Sequence, residues 1–235
     1  MSAPVLITGV GKRIGLHLAL SLLEQGVPVI GTYRSERPAL SGLRAEGAEL
    51  HQCDFCAPGS LDSLISAVRD SHPKLRAVIH NASDWLTEGS APEDEVMQRM
   101  MQVHVAAPYA LNLALSDALQ RGAEPVSDII HLTDYVADTG SAKHIAYAAS
   151  KAALANLTLS FAKRFAPTIK VNAIAPALIR FNPDDDDAYR HKALTKALIP
   201  KEGGEEEVWQ AVQYLMSSQY VTGRTLHLDG GRHLA

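Results

Sequence analysis

Tyr147 and Lys151, in the segment Tyr147-Ala148-Ala149-Ser150-Lys151, are a phenol and an ammonium four residues apart. On a helix the two share one face, separated by about 6 Å along the axis. A free phenol has a pKa of about 10, too high to pass protons readily at neutral pH. A neighbouring cation stabilises the phenolate, so Lys151 is expected to lower the Tyr147 pKa and make it a usable acid. The spacing alone is common in proteins. It gains weight only from a second feature far away in the chain.

That feature is Thr8-Gly9-Val10-Gly11-Lys12-Arg13-Ile14-Gly15, between an apolar run and an amphipathic stretch. Glycines there let the backbone turn tightly and approach a pyrophosphate, and the following helix start offers free N–H groups and positive potential. Gly9, Lys12, Arg13 and Ile14 are the candidates for dinucleotide contact. About twenty residues on, an acid would pair with the ribose hydroxyls of NAD. This chain has Thr32-Tyr33-Arg34-Ser35 instead. Arg34 and Arg13 suit a 2′-phosphate through charge-assisted hydrogen bonds, so NADPH is expected over NADH. The competing reading makes Arg34 an ordinary surface arginine, with Glu36 close by.

Short β-branched runs alternate with amphipathic segments around these residues. Strands are expected at 5–8, 27–33, 49–53, 77–80, 128–132, 170–174 and 225–228. Helices are expected at 13–25, 38–46, 61–71, 93–105, 107–121, 146–165 and 205–217, the last opened by Glu205-Glu206-Glu207 at the positive end of its dipole. The alternation predicts a single Rossmann-like, doubly wound parallel sheet with helices on both faces. An irregular stretch from Pro176 to about Lys192 carries four consecutive acids, Asp184 to Asp187. Residues 176–200 are expected to form a substrate loop at the carboxyl edge of the sheet, with the acids solvated.

The 235 residues suit one large domain or two small ones, and 46% hydrophobic against 20% charged residues is ordinary for a globular fold. Lys and Arg number 22 against 26 Asp and Glu, a net charge of −4, which argues against a nucleic-acid surface. The apolar run Leu16–Leu23 is too short to span a bilayer and has no cleavage site, so neither a membrane partner nor secretion is expected. Cys53 and Cys56 form a C-x-x-C spacing without the further ligands a zinc site needs, and they fall at a strand end rather than a helix start. Incidental, reduced cytoplasmic thiols are the expectation, with no metal.

Together the turn, Asn81-Ala82-Ser83, Tyr147 with Lys151, Val171-Asn172-Ala173-Ile174-Ala175-Pro176, and Thr222-Gly223 followed by Asp229-Gly230-Gly231 resemble the short-chain dehydrogenase/reductase family over nearly the whole chain. The resemblance implies one domain over residues 1–235, a nicotinamide cofactor and commonly a homotetramer. It implies Tyr147 as proton donor, Lys151 on the nicotinamide ribose, Asp54 at the adenine, and Asn81, Ala82 and Ser83 in the cofactor cleft. The departures are informative. Asp134 stands where members carry a hydroxyl thirteen residues before the tyrosine, Arg13 replaces the middle glycine, Ser83 replaces a glycine, and His104 replaces an asparagine.

Arg13, Ser83 and Asp134 together resemble the pteridine reductase branch, in which an aromatic at the position of Trp85 stacks on the pterin. That branch implies a small-molecule pterin substrate contacted by Arg13, Ser83, Trp85, Asp134 and Tyr147. Its chemistry agrees, because reducing a C=N bond requires a proton at ring nitrogen, which a carboxyl–tyrosine pair can relay. Plainer readings stand beside it: Asp134 as a turn cap, Trp85 as packing at a loop base, His104 as a core histidine rather than a water-ordering group, and His144 and Tyr135 as structural. The alternative functions are a carbonyl reductase, such as one for 3-oxoacyl thioesters, and a non-enzymatic NADPH-binding regulator.

Overall fold

A computed structural model describes residues 2–235. The strands are Val5–Ile7 (β1), Val29–Tyr33 (β2), Glu49–Gln52 (β3), Ala77–His80 (β4), Ser127–Leu132 (β5), Ile169–Pro176 (β6) and Thr225–Leu228 (β7). They pair in parallel in the order β3-β2-β1-β4-β5-β6-β7. The helices are Arg13–Glu24 (α1), Pro38–Ala45 (α2), Ser60–Ser71 (α3), Glu93–Met101 (α4), Ala107–Ala114 (α5), Ser116–Gly122 (α6), Val136–Thr139 (α7), Ile145–Phe165 (α8), Asp187–Leu194 (α9) and Glu205–Ser217 (α10).

Alternate residues of a strand face opposite sides of the sheet, and both sides here are apolar. Val5 and Ile7 pack with Leu18 and Leu22 of α1, Leu43 of α2 and Val212 of α10. Leu6 points the other way, toward Val68 of α3, Leu111 of α5 and Phe161 of α8. The chain leaves β1 toward β2 on one side and later returns to β4 on the other. This reversal opens a crevice at the carboxyl ends of β1 and β4, where an open α/β sheet keeps its ligand. At the opposite end of the sheet, Asp128 is fully buried between Arg76 (2.6 Å) and Lys170 (2.8 Å).

Three expected elements differ. The helix expected over 107–121 breaks at Leu115, where the Ser116 hydroxyl bonds the Leu113 carbonyl at 2.9 Å and competes with the helical ladder. The helix expected over 93–105 ends at Met101 and continues as a π turn, Gln102–Ala106. Pro108, just beyond it, has no N–H to give the His104 carbonyl, and the wider turn carries His104 into the interior. The stretch expected to be irregular holds α9. Asp186 caps that helix by accepting from the Tyr189 N–H at 2.7 Å, and Asp185 accepts from the Asn182 N–H at 2.8 Å, so two of the four acids order the segment.

Candidate active site

The glycine turn and the segment after β4 interlock. The Asn81 side chain donates to the carbonyls of Thr8 (3.0 Å) and Gly9 (2.9 Å), and the Thr8 hydroxyl accepts from the N–H groups of Asn81 and Ala82. A Cβ on Gly15 would lie 2.2 Å from the Gly9 carbonyl oxygen and 2.4 Å from the Asn81 amide, so only glycine fits. Gly9 has φ +77°, and a Cβ there would meet Ala82 at 2.9 Å. Lys12 precedes α1 without capping it by its side chain, leaving the first N–H groups of the helix for an anion. The cradle therefore fits a pyrophosphate. Ile14 packs against the core beneath it.

Expected cofactor contacts are held by other partners. Arg13 has φ 52°, the single non-glycine residue in the left-handed region among those described. Its guanidinium donates to the Asn182 side chain (3.1 Å) and the Arg180 carbonyl (2.5 Å), tying the turn to the 176–200 segment instead of lying free above the cleft. Arg34 pairs with Asp84 at 2.8 Å, and Arg99 bonds the same carboxylate oxygen at 2.7 Å. Burial opposes the charge on Asp84, yet Arg99, the Trp85 N–H and Arg34 hold its pKa below the ordinary value. Half of the Arg34 side chain is exposed. The Asp54 carboxylate accepts from the Cys56 N–H at 2.9 Å. Cys53 and Cys56 are free, burial raises both thiol pKa values, and no metal-holding group occurs among the described residues.

Tyr147 and Asp134 meet as a pair: the phenol donates to Asp134 Oδ2 at 2.8 Å. The other carboxylate oxygen accepts from the Val136 N–H at 3.0 Å, so Asp134 caps α7 as well as facing Tyr147. Burial raises the Asp134 pKa against the Val136 N–H, Lys151 and Tyr147, which lower it. The expected lowering of the Tyr147 pKa does not occur. It lies well above the ordinary phenol value, through burial first and then the Asp134 charge and hydrogen bond. Lys151 cannot offset this, because its ammonium donates to the Leu132 carbonyl (2.8 Å) and lies 5.5 Å from the centre of the phenol ring. Its own pKa is lowered to about 8 by burial.

Trp85 is 54% exposed, so it is not buried packing. Its indole lies 3.9 Å from the His144 ring and meets the Tyr147 ring edge-on at 4.6 Å. The Glu88 carboxylate accepts from the Ala146 N–H at 2.8 Å and the Leu86 carbonyl lies 3.2 Å from His144 Nδ1, fixing the 84–88 segment on the start of α8. His104 is buried, 2.8 Å from both Ser83 Oγ and Ser150 Oγ. Arg232 lies over the Tyr135 ring at 4.2 Å. Sequence reasoning missed Arg99, Glu88, Ser150 and Arg232. Their partners lie far off in the chain or on a neighbouring turn of α8, and no local pattern signals them.

The sheet order, the glycine cradle and the tyrosine–lysine helix define a nicotinamide-dependent oxidoreductase of the Rossmann type, and the chain belongs to the short-chain dehydrogenase/reductase family. Residues 9–233 match the family model described as enoyl-(acyl carrier protein) reductase. The chain is similar to proteins named dihydromonapterin reductase. That of Klebsiella pneumoniae subsp. pneumoniae is 53% identical over 98% of this chain and 97% of the relative, and that of Escherichia coli O6:H1 is 52% identical over 99% and 98%. Among solved structures, the alternative dihydrofolate reductase 1 (FolM) of Brucella suis in complex with NADP superposes with a TM-score of 0.85 at 26% identity, covering 99% of this chain and 96% of that one.

Proposed function

We propose that the protein reduces a 7,8-dihydropterin to its tetrahydro form with NADPH. Dihydromonapterin is the main substrate and dihydrofolate a weaker one. The observation that carries this reading is the Tyr147–Asp134 hydrogen bond. A ketone reductase needs only a donor for an alkoxide, which a serine–tyrosine pair provides. A C=N bond needs a proton at ring nitrogen as hydride reaches carbon. A carboxyl whose pKa is raised by burial, joined to a phenol that keeps its own proton, suits that delivery. The 52–53% identity to dihydromonapterin reductases over nearly the whole chain supports the same substrate class.

NADPH supplies the hydride. Gly9, Lys12, Ile14 and the start of α1 hold its pyrophosphate, with Asn81, Ala82 and Ser83 forming the facing wall. Asp54 lies at the adenine and Arg34 at the 2′-phosphate, and the ammonium of Lys151 binds the nicotinamide ribose. Tyr147 and Asp134 hold the transferable proton. The exposed indole of Trp85 covers the pterin ring, a planar surface suited to aromatic stacking. Arg13, anchored to Asn182, borders the pterin and links it to the 176–200 substrate loop, and Ser83 contacts both ligands.

The protein acts as a homotetramer in the cytoplasm. Tyr109 and Leu159, each about half exposed on α5 and α8, suit burial between subunits. No helix among the described residues is long and apolar enough to cross a membrane. The function is tested by following NADPH oxidation with dihydromonapterin, dihydrofolate and a 3-oxoacyl thioester in parallel. Turnover of both pterins, dihydromonapterin faster, is expected. Turnover of the thioester alone would replace this reading with a carbonyl reductase. NADPH binding without any turnover would leave a regulator.

A further inference from the structure

His104 is a buried titratable side chain beside the site to which the proposed chemistry gives no task, and its bonds fix its state. The Asp84 backbone N–H, which can only donate, points to His104 Nε2 at 3.3 Å, so Nε2 carries the lone pair. At the other end, Ser150 spends its proton on the Tyr147 carbonyl at 2.7 Å and therefore accepts from His104 Nδ1 at 2.8 Å. Two independent bonds thus place the proton on Nδ1. Burial and the Lys151 charge hold the ring pKa at about 2, so the imidazole is neutral.

Ser83 Oγ lies 2.8 Å from Nε2. With no proton on that nitrogen, the serine at 2.8 Å must donate to it, and the Asp84 carbonyl at 3.4 Å and the neighbouring Tyr147 oxygen compete for the same proton at longer range. A hydroxyl has one proton and two lone pairs. Ser83 is exposed to the cleft, beside Tyr147, so its lone pairs are what it offers there. We infer that His104 is a positioning residue that locks Ser83 as a hydrogen-bond acceptor, so that the site selects a ligand presenting an N–H or NH2 donor at that point. This deepens the dihydropterin reading and rests on it for the ligand, since the amino-pyrimidine edge of a pterin carries such donors and a thioester carbonyl has none. The π turn is what makes the lock possible, because it carries residue 104 inward to lie between the loop after β4 and α8.

The lock itself is read without any substrate. Two-bond 1H–15N correlation spectra of the imidazoles in the full-length protein, with His104→Gln assigning the signal, should show His104 as the Nδ1–H tautomer. It should stay neutral down to about pH 5. An Nε2–H tautomer or an imidazolium at that pH would overturn the inference. Binding supplies the second arm. His104→Phe should weaken binding of a dihydropterin at least tenfold and shrink the preference for it over its 2-desamino-2-methyl analogue, with NADPH affinity changed less than threefold. His104→Gln, whose amide can donate to Ser150 and accept from Ser83, should recover most of the loss. If His104→Phe fails to fold, Ser150→Ala tests the lock by freeing the ring from its anchor at Nδ1, and it should shrink the same ligand preference. Unchanged ligand preference in either variant would refute the role in selection. Correct tautomer with no dihydropterin bound by the unaltered protein would instead sink the proposed substrate and leave the serine lock standing.

Discussion

The Tyr147 phenol directs its proton at Asp134 Oδ2 across 2.8 Å, in surroundings where burial raises the pKa of both groups. The phenol keeps its proton and directs it at a carboxylate whose proton affinity burial increases, so the pair stores one proton for delivery rather than acting as a base. The pair sits where α8 passes the carboxyl end of β5, so the two partners, thirteen residues apart, are brought together by one crossover.

Asp134→Ser should therefore lower kcat for dihydropterin reduction by about a hundredfold or more, the low end for losing general acid catalysis. NADPH affinity, measured by fluorescence titration, should change little. The pH dependence has a definite sign: a raised carboxyl pKa keeps the proton to higher pH, and activity falls as the pair loses it. Asp134→Ser should remove that limb from the profile. A variant that turns over at the original rate would take Asp134 out of the reaction and leave it the capping role its bond to Val136 already shows.

Lys151 gives a second, separable pH effect. Its amine is buried with a pKa lowered to about 8, so its charge is present below that pH and lost above it. If the ammonium holds the cofactor ribose, the KM for NADPH should rise as pH passes about 8. In Lys151→Met the KM should already be high at neutral pH and flat across that range. A rise at the same pH persisting in the methionine variant would assign it to another group.

The Asp128 cluster predicts stability rather than activity. Asp128 is fully buried with Arg76 and Lys170 on its two oxygens, at the end of the sheet away from the crevice. Asp128→Ala leaves the almost completely buried Lys170 ammonium without its counter-charge, a loss of about 3–5 kcal/mol. For a chain of this size that corresponds to a fall in Tm on the order of 10 °C. The kcat of the folded fraction should be unchanged. A Tm within two or three degrees of the parent protein would mean that water or a backbone shift supplies the missing partner.

The sheet was legible because its strands are short apolar runs separated by helices of clear period, and each expected strand lies within two residues of the observed one. The glycine cradle was legible too, since the need for Gly9 and Gly15 is steric and local. Side-chain pairing was not. Asp84 joins Arg34 and Arg99 across fifty and fifteen residues, and nothing in their spacing announces it. The direction of the Tyr147 shift was also misread from spacing. Helical proximity places Lys151 near the phenol, but its ammonium bonds to Leu132 while Asp134 supplies the nearer charge. The acids at 184–187 look like a solvated run until Asp186 is seen capping α9.

Arg34 gives the sharpest test of cofactor choice, because the structure shows it engaged by Asp84 rather than free. Asp84 is shared with Arg99, whose own bonds at 2.6 and 2.7 Å can keep the carboxylate satisfied if Arg34 swings away. A 2′-phosphate carries more charge than a carboxylate and offers three acceptor oxygens, so it can draw away Arg34, whose side chain is half exposed. Hydrogen bonds between charged groups are worth roughly 1.5–3 kcal/mol. Arg34→Ala should thus raise the KM for NADPH by about ten- to a hundredfold, while the KM for NADH, which lacks the phosphate, stays within threefold. Equal increases for the two cofactors would mean that Arg34 only fixes the loop carrying Asp84 and Trp85, and that the preference for the phosphate resides elsewhere in the turn.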